Sequence, residues 1–160
     1  MTDQSLIDPI YNELIAEFPQ QVELETRPGF SGVVVDQSAL IDVVKFLHDK
    51  KGYDYLANLT AVDDYPEDQL EVIYHLFRTT GGGIIELKIF TGREEPVVPS
   101  LYPIYLGADF QEREVWDMYG IKFIGHPDLR RLLLWEGFDG HPLRKDWKEP
   151  FYEEDVKPYK

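Results

Sequence analysis

Hydrophobic residues along the chain follow two periods in turn, and the points where the period changes outline its elements. Ile7, Ile10, Tyr11, Leu14, Ile15 and Phe18 fall at i, i+3, i+4, i+7, i+8 and i+11, the spacing that gathers apolar side chains on one helix face. Ser5, Asp8 and Pro9 stand where such a helix starts. A short strand is predicted over 32–35, and Asp36 or Ser38 opens a second helix. Its Leu40, Val43, Val44 and Leu47 face one way, and Lys50, Lys51 and Gly52 end it. Period two then takes over in 55–62, 69–78 and 83–90. In the last of these Ile85, Leu87 and Ile89 alternate with Glu86 and Lys88, as in a half-solvated strand. Polar runs at 63–68 and 79–83 are the hairpin connections. The Gly81–Gly83 triplet lacks the following helix and Lys-Ser/Thr of a phosphate cradle and reads as a turn. The order predicts an α+β fold, a small mixed or antiparallel sheet with helices packed on one face.

Beyond Phe90 the pattern changes, with Pro96, Pro99 and Pro103 interrupting a segment expected to hold one short helix before Asp109. Another helix is expected from Asp109 to Gly120, Asp109 capping it, Glu112 closing a capping box and Gly120 supplying the left-handed terminator. At 100° per residue, Val115, Trp116, Met118 and Tyr119 share a core face, and Arg113, Glu114 and Asp117 point outward, with Arg113 and Asp117 as i,i+4 neighbours. Glu112 lies between Trp116 and Tyr119 in angle; it folds back as the cap or meets a buried or interfacial partner such as an arginine. Residues 1–120 are thus read as an α+β globular domain and 121–160 as an extended, partner-binding C-terminal tail.

The tail holds an internal echo: Gly125-His126-Pro127-Asp128-Leu129-Arg130-Arg131 and Gly140-His141-Pro142-Leu143-Arg144-Lys145-Asp146. A residue before proline is held extended, so each histidine sits on stiff, non-helical chain. It serves as a hydrogen-bonded loop anchor or as a pH-sensitive, partner-facing group. Interleaved Leu132, Leu133, Leu134, Trp135, Phe138 and Trp147 are too apolar for a free tail. Arg130, Arg131, Arg144 and Lys145 suit carboxylate pairing at an interface, the arginines bidentately.

The 160 residues carry a net charge of −14, which argues against nucleic acid and against direct docking on anionic lipid. Residues 1–110 hold 7 Lys+Arg against 19 Asp+Glu, and residues 111–160 hold 9 against 11, so the cations concentrate around the tail. With no cysteine, disulfides, cysteine-ligated clusters and thiolate zinc sites are excluded. No apolar run approaches 18 residues and no basic-then-apolar leader occurs, so neither a membrane-spanning helix nor a secretory signal is expected. His75, His126 and His141 lack HExxH-like spacing, and no Gly-x-Ser-x-Gly elbow is present, so no catalytic residue, bound cofactor or metal ligand is assigned.

Residues 112–121, 126–133 and 140–146 together resemble the signature of one family, the 30 kDa-type or C-type subunits of the proton-pumping NADH:quinone oxidoreductase, respiratory complex I (the J-type subunits of the cyanobacterial and plastid complex). The family usually has a Pro-Glu-Asp-Trp-like turn before the second Gly-His-Pro, and this chain departs from it with Trp135-Glu136-Gly137-Phe138-Asp139. The resemblance implies a cofactor-free member of the peripheral arm, beside the quinone-site (D-type) subunit and near the iron–sulfur (B-type and I-type) subunits. Clusters, FMN and quinone are then expected in those partners, and attachment to the cytoplasmic face of the plasma or thylakoid membrane is expected through them. The signature positions taken as the partner interface are Glu112, Arg113, Glu114, Asp117, His126, Arg130, Arg131, His141, Arg144, Lys145 and Asp146. Two other classes fit less of the chain: the equivalent subunit of a membrane-bound hydrogenase or other donor-fed complex, and a stand-alone binding domain or hydrolase.

Overall fold

In the computed structural model, which describes residues 9–148, the period-two segments become the long strands of a five-stranded sheet. Helix α1 (Pro9–Glu17) leads into β1 (Val22–Leu24) and β2 (Val33–Val35), then α2 (Leu40–Lys45), which follows a 3-10 turn at Gln37–Ala39 and widens into a π-turn at Phe46–Lys50. β3 (Tyr55–Asp64), β4 (Gln69–Phe77) and β5 (Ile84–Gly92) form the meander. After β6 (Val97–Pro99) come α3 (Ala108–Tyr119) and β7 (Lys122–Ile124). Ser5, Ile7 and Asp8, offered above as the start of the first helix, lie outside the described residues. Among the described residues no helix is long and apolar enough to cross a membrane.

The sheet order is β1-β2-β5-β4-β3, with β2 running parallel to β5 and every other pair antiparallel. β1, β6 and β7 were not anticipated from the sequence. Each has three residues, too short for an alternation to stand out, and β6 and β7 pair only with each other. Where a short helix was expected between Phe90 and Asp109, the chain forms β6 and a series of hydrogen-bonded turns, its prolines breaking a helical run. Ile10, Leu14, Leu40, Val43, Leu47 and Val115 from the helices join Leu59, Leu70, Val72, Tyr74, Leu87 and Ile89 from the sheet in one core. Such clusters stabilise by roughly 25 cal/mol per Å² of apolar surface removed from water. All three helices therefore pack on the same face of the sheet.

The other face carries the alternate residues. Register runs across it as Glu23, Val34, Lys88, Ile73 and Thr60. Here the half-solvated expectation for β5 needs correction, because Lys88 is completely buried. The connection from β1 to β2 folds over it: Phe30 lies 4.7 Å from Lys88 Nζ and 4.4 Å from the Arg27 guanidinium. Lys88 reaches Glu86 at 3.0 Å and Glu25 at 3.3 Å, and Arg27 bridges Glu25 at 2.7 Å to Glu71 at 2.8 Å. Arg27, through its hydrogen bonds to Glu25, draws that carboxyl down to about 2. A buried ammonium needs such paired carboxylates to stay charged.

Candidate functional site

α3 and the chain that follows it are joined by a dense set of polar hydrogen bonds. Gly120 at φ 80° ends the helix as expected, and its N–H donates to the Trp116 carbonyl at 2.8 Å. A Cβ there would also lie 2.6 Å from the His141 ring, so no other residue fits.

The start of the helix differs from the expectation. Gly107, not Asp109, is the cap residue, and the Asp109–Glu112 box does not form. The reason is that the preceding turn runs straight into the helix: the Ala108 amide donates to Tyr105 O at 2.9 Å and the Asp109 amide to Leu106 O at 3.3 Å. Glu112 turns the other way and is fully buried, accepting from Ser100 Oγ and the Leu101 amide, both at 2.6 Å. Burial pushes its carboxyl up to about 7, against the two hydrogen bonds, with nearby Asp109 adding to the rise. The Tyr74 hydroxyl, also buried, has no hydrogen-bond partner among the described residues; burial first, then any charge on Glu112, push it well above its ordinary value.

The outward face assigned to Arg113, Glu114 and Asp117 is also corrected. Glu114 alone is exposed; Arg113 and Asp117 are buried. Residues 130–134 lie across that face and answer both charges, while the expected Arg113–Asp117 pair does not form and Arg113 meets Asp109 one turn back at 3.9 Å instead. Arg113 donates to the carbonyls of Arg130 and Arg131, both at 3.2 Å. Asp117 Oδ2 accepts from the consecutive amides of Leu132, Leu133 and Leu134 at 3.1, 2.8 and 2.9 Å, and Oδ1 from Arg131 at 2.7 Å. Successive amides converging on one oxygen make an anion nest. Burial opposes the charged carboxylate, and the Leu134 amide, Arg131 and the other two amides outweigh it, leaving Asp117 below the usual carboxylate range.

The second Gly-His-Pro segment completes the helix. A helix ends with four carbonyls that lack intrahelical partners. Trp116 O is taken by Gly120, and the next three by the tail: Asp117 O by His141 Nδ1 at 3.0 Å, Met118 O by the Leu143 amide at 3.1 Å, and Tyr119 O by Arg144 Nε at 2.7 Å. Since a carbonyl only accepts, His141 carries its proton on Nδ1. Burial lowers the pKa of His141, and Arg144 and Arg131 lower it further. A cation at the helix C-terminus also suits the helix dipole.

Two residues not singled out from the sequence fix the end of this segment. Asp63, buried at the end of β3, accepts from Arg93 at 2.8 and 3.1 Å and from the Lys145 amide at 2.7 Å. Arg93 then reaches Asp146 at 2.6 Å. Nothing local in the sequence marks Asp63 or Arg93, since one lies at the end of β3 and the other just after β5, and they meet only when β3 and β5 share a sheet. The first Gly-His-Pro is tied to the opposite end of α3. His126 Nε2 lies 3.2 Å from Asp109 O, and its Nδ1 accepts from the Asp128 amide at 3.1 Å.

The structure thus brings Arg113, Asp117, His126, Arg131, His141, Arg144 and Asp146 into one clasp on α3, with Glu112 on its core side. Glu114, Arg130 and the Lys145 side chain stand apart from it in solvent. Arg130, 70% exposed, pairs among the described residues with Asp128 alone, at 2.7 Å. Leu133, Trp135 and Leu143 are also exposed. Between them, Arg131 lies over Trp116 at 5.7 Å and Phe138 at 5.8 Å, and Trp147 stacks on Phe138 at 5.7 Å. The 135–139 loop that departs from the family pattern therefore contributes an aromatic shelf. Among the described residues no three His, Asp or Glu gather in a way that could hold a metal ion.

Comparison with known proteins places this arrangement. Over 145 residues the chain is 43% identical to the C-type subunit of the NADH-quinone oxidoreductase of Moorella thermoacetica, covering 89% of this chain and 95% of that protein. It is 49% identical over 104 residues to the joined C/D-type subunit of the NADH-quinone oxidoreductase of Phocaeicola vulgatus, 64% of this chain but 20% of that longer protein. Among solved structures, the trypsin-resistant fragment (1–134) of Nqo5 matches with TM-score 0.61 and 28% identity, over 76% of this chain and 97% of the fragment. A chain of the membrane-bound sulfane sulfur reductase, an archaeal respiratory membrane complex, shares the fold with TM-score 0.71 at 23% identity, over 93% of this chain and 96% of its own. Residues 33–153, which include all of the clasp, match the pattern of one family. The chain belongs to that family, the 30 kDa subunit of the respiratory-chain NADH dehydrogenase.

Proposed function

We propose that this chain is the 30 kDa-type subunit of a NADH:quinone oxidoreductase and works there by holding neighbours together, carrying no redox centre or catalytic residue of its own. Electron transfer through iron–sulfur clusters and FMN to quinone, coupled to proton translocation, belongs in this reading to the partner subunits. The observation that carries it is the division of labour in residues 121–148. Polar signature residues are consumed inside the chain, fixing the segment on α3, while Leu133, Trp135 and Leu143 are left outside beside Arg130 and Lys145. Apolar anchors rimmed by cations on a pre-ordered segment fit a partner surface better than a substrate pocket.

Residues 121–160 are accordingly the partner-binding part and 1–120 the globular body. The relative whose name joins the C and D types in one chain supports the D-type subunit, taken here as the quinone-site subunit, as a direct neighbour; the iron–sulfur B and I types belong close by in this reading. Membrane attachment, on the cytoplasmic face, then runs through those partners. Leu133→Asp together with Leu143→Asp tests the reading. Both side chains are exposed, so the free chain should melt as wild type does, while native-gel incorporation into the membrane complex should fall several-fold. Full incorporation would remove the docking role from the tail. A related donor-fed complex is a second reading, supported by fold alone through the sulfane sulfur reductase chain; the identity of the co-purifying subunits separates the two.

A further inference from the structure

The clasp lies on the helix side of the sheet, and the opposite face has a feature that it does not use. At the β1–β2 end that face is hollowed by two adjoining depressions of about 410 and 280 Å³, which share Glu23, Val34 and Phe90. Val34 stands between Glu23 and Lys88 in the outer row, and Phe90 lies opposite Glu71, two residues along β5 from Lys88. Val34 and Phe90 thus give the floor its apolar part, Arg27 lying 5.2 Å from the Phe90 ring, and no helix of the described residues covers it. Among the described residues β1 is the edge strand of the sheet, so one side of the groove is a strand edge.

The charge of the groove is one-sided. In the second depression Glu25 and Arg27 are already bound to each other and to Glu71 and Lys88. In the first, Glu23 and Asp36 stand outside every ion pair among the described residues. The Ser38 hydroxyl and amide, at 2.5 and 2.8 Å from Asp36 Oδ1, favour its charged form. Two carboxylates with no paired cation among the described residues repel phosphates and nucleic acid and attract a cation. Beside an apolar floor and a strand edge, the fitting ligand is a peptide.

We propose that this groove is a second docking surface, which takes an extended segment of a neighbouring subunit with an apolar side chain on Val34 and Phe90 and Lys or Arg side chains against Glu23 and Asp36. Because it faces away from the clasp, one copy of the chain touches two neighbours at once, the tail holding one and the sheet the other. The inference rests on the reading that the chain works inside a multi-subunit assembly.

A photo-crosslinking residue at Gln20, exposed on the groove rim, tests it in the assembly released from membranes with mild detergent. The expected product joins position 20 to a segment of another subunit in which Lys or Arg flanks an apolar residue. Glu23→Lys combined with Asp36→Asn, which keeps the acceptor for Ser38, should lower the yield about tenfold, equivalent to ~1.4 kcal/mol. The melting temperature of the free chain should not move. No crosslink, one confined to this chain, a partner segment without cations, or a yield indifferent to the charge change would each overturn the groove. If the chain leaves the membrane with no companion subunit, the proposed function falls and the groove with it. Companions present but unlabelled from Gln20 remove the groove alone.

Discussion

Glu112 and Asp117 are acids on the same helix, both sealed from solvent, and their surroundings drive them in opposite directions. Asp117 meets a guanidinium and three consecutive amides, so its charge is better solvated than burial alone would allow. Glu112 meets one hydroxyl and one amide, with no cation in ion-pair contact among the described residues and an unpartnered tyrosine hydroxyl within electrostatic reach. Burial raises the cost of charge for both. The number and charge of the donors aimed at each oxygen decide which acid stays ionised.

The strongest way to break this comparison is to take the charge from Asp117. Asp117→Asn leaves Arg131 without its anion and turns an amide NH2 or a weaker acceptor toward three N–H donors. Removing one member of a buried pair costs about 3–5 kcal/mol. Urea unfolding should show a loss of that order, with faster tryptic cutting after Arg130 and Arg131 as the clasp opens. A loss below about 1 kcal/mol would mean the nest contributes little.

Glu112 should behave in the reverse sense. Its folded carboxyl titrates near 7 against 4.5 for the ordinary value, so the folded state holds a proton that the unfolded chain has already released. Stability from this group is therefore complete below 4.5, declines as pH rises toward 7, and stays lower above it. Glu112→Gln keeps the acceptor and removes the titration. Relative to wild type it should be level at pH 4.5 and more stable at pH 8 by on the order of 1–3 kcal/mol. A difference that does not change with pH would sink the idea that this acid is held near neutrality.

The smallest effects separate the cations. Arg144→Ala uncovers the Tyr119 carbonyl and should cost about 1–2 kcal/mol, the scale of a charge-assisted hydrogen bond. Arg130→Ala, on a solvated side chain, should leave the melting temperature where it is. Equal effects from the two would undo the distinction between clasp residues and rim residues.

The long elements were legible because their periods are set by many residues. The meander at 55–92, both leading helices and the Gly120 terminator follow from patterns that burial then satisfied. The errors of burial fall where one residue's environment came from a distant segment. Lys88 alternates as an exposed residue does, and only the fold of 25–31 over the sheet buries it. Arg113 and Asp117 sit on the polar side of α3 by angle, and only the return of 130–134 turns that side inward.

What the sequence by itself determined is the family signature, the α+β class and the places where backbone geometry is local: the glycine after α3 and the extended histidines before Pro127 and Pro142. Local rules suffice there because steric limits on one or two residues act in any context. The tertiary structure alone decided which charges are buried, which acid is neutralised and which cations are used up within the chain. Those outcomes depend on contacts between residues as far apart as Asp63 and Lys145. Coulomb and hydrogen-bond energies turn on distances of a few ångströms and on local desolvation, and spacing along the chain fixes neither.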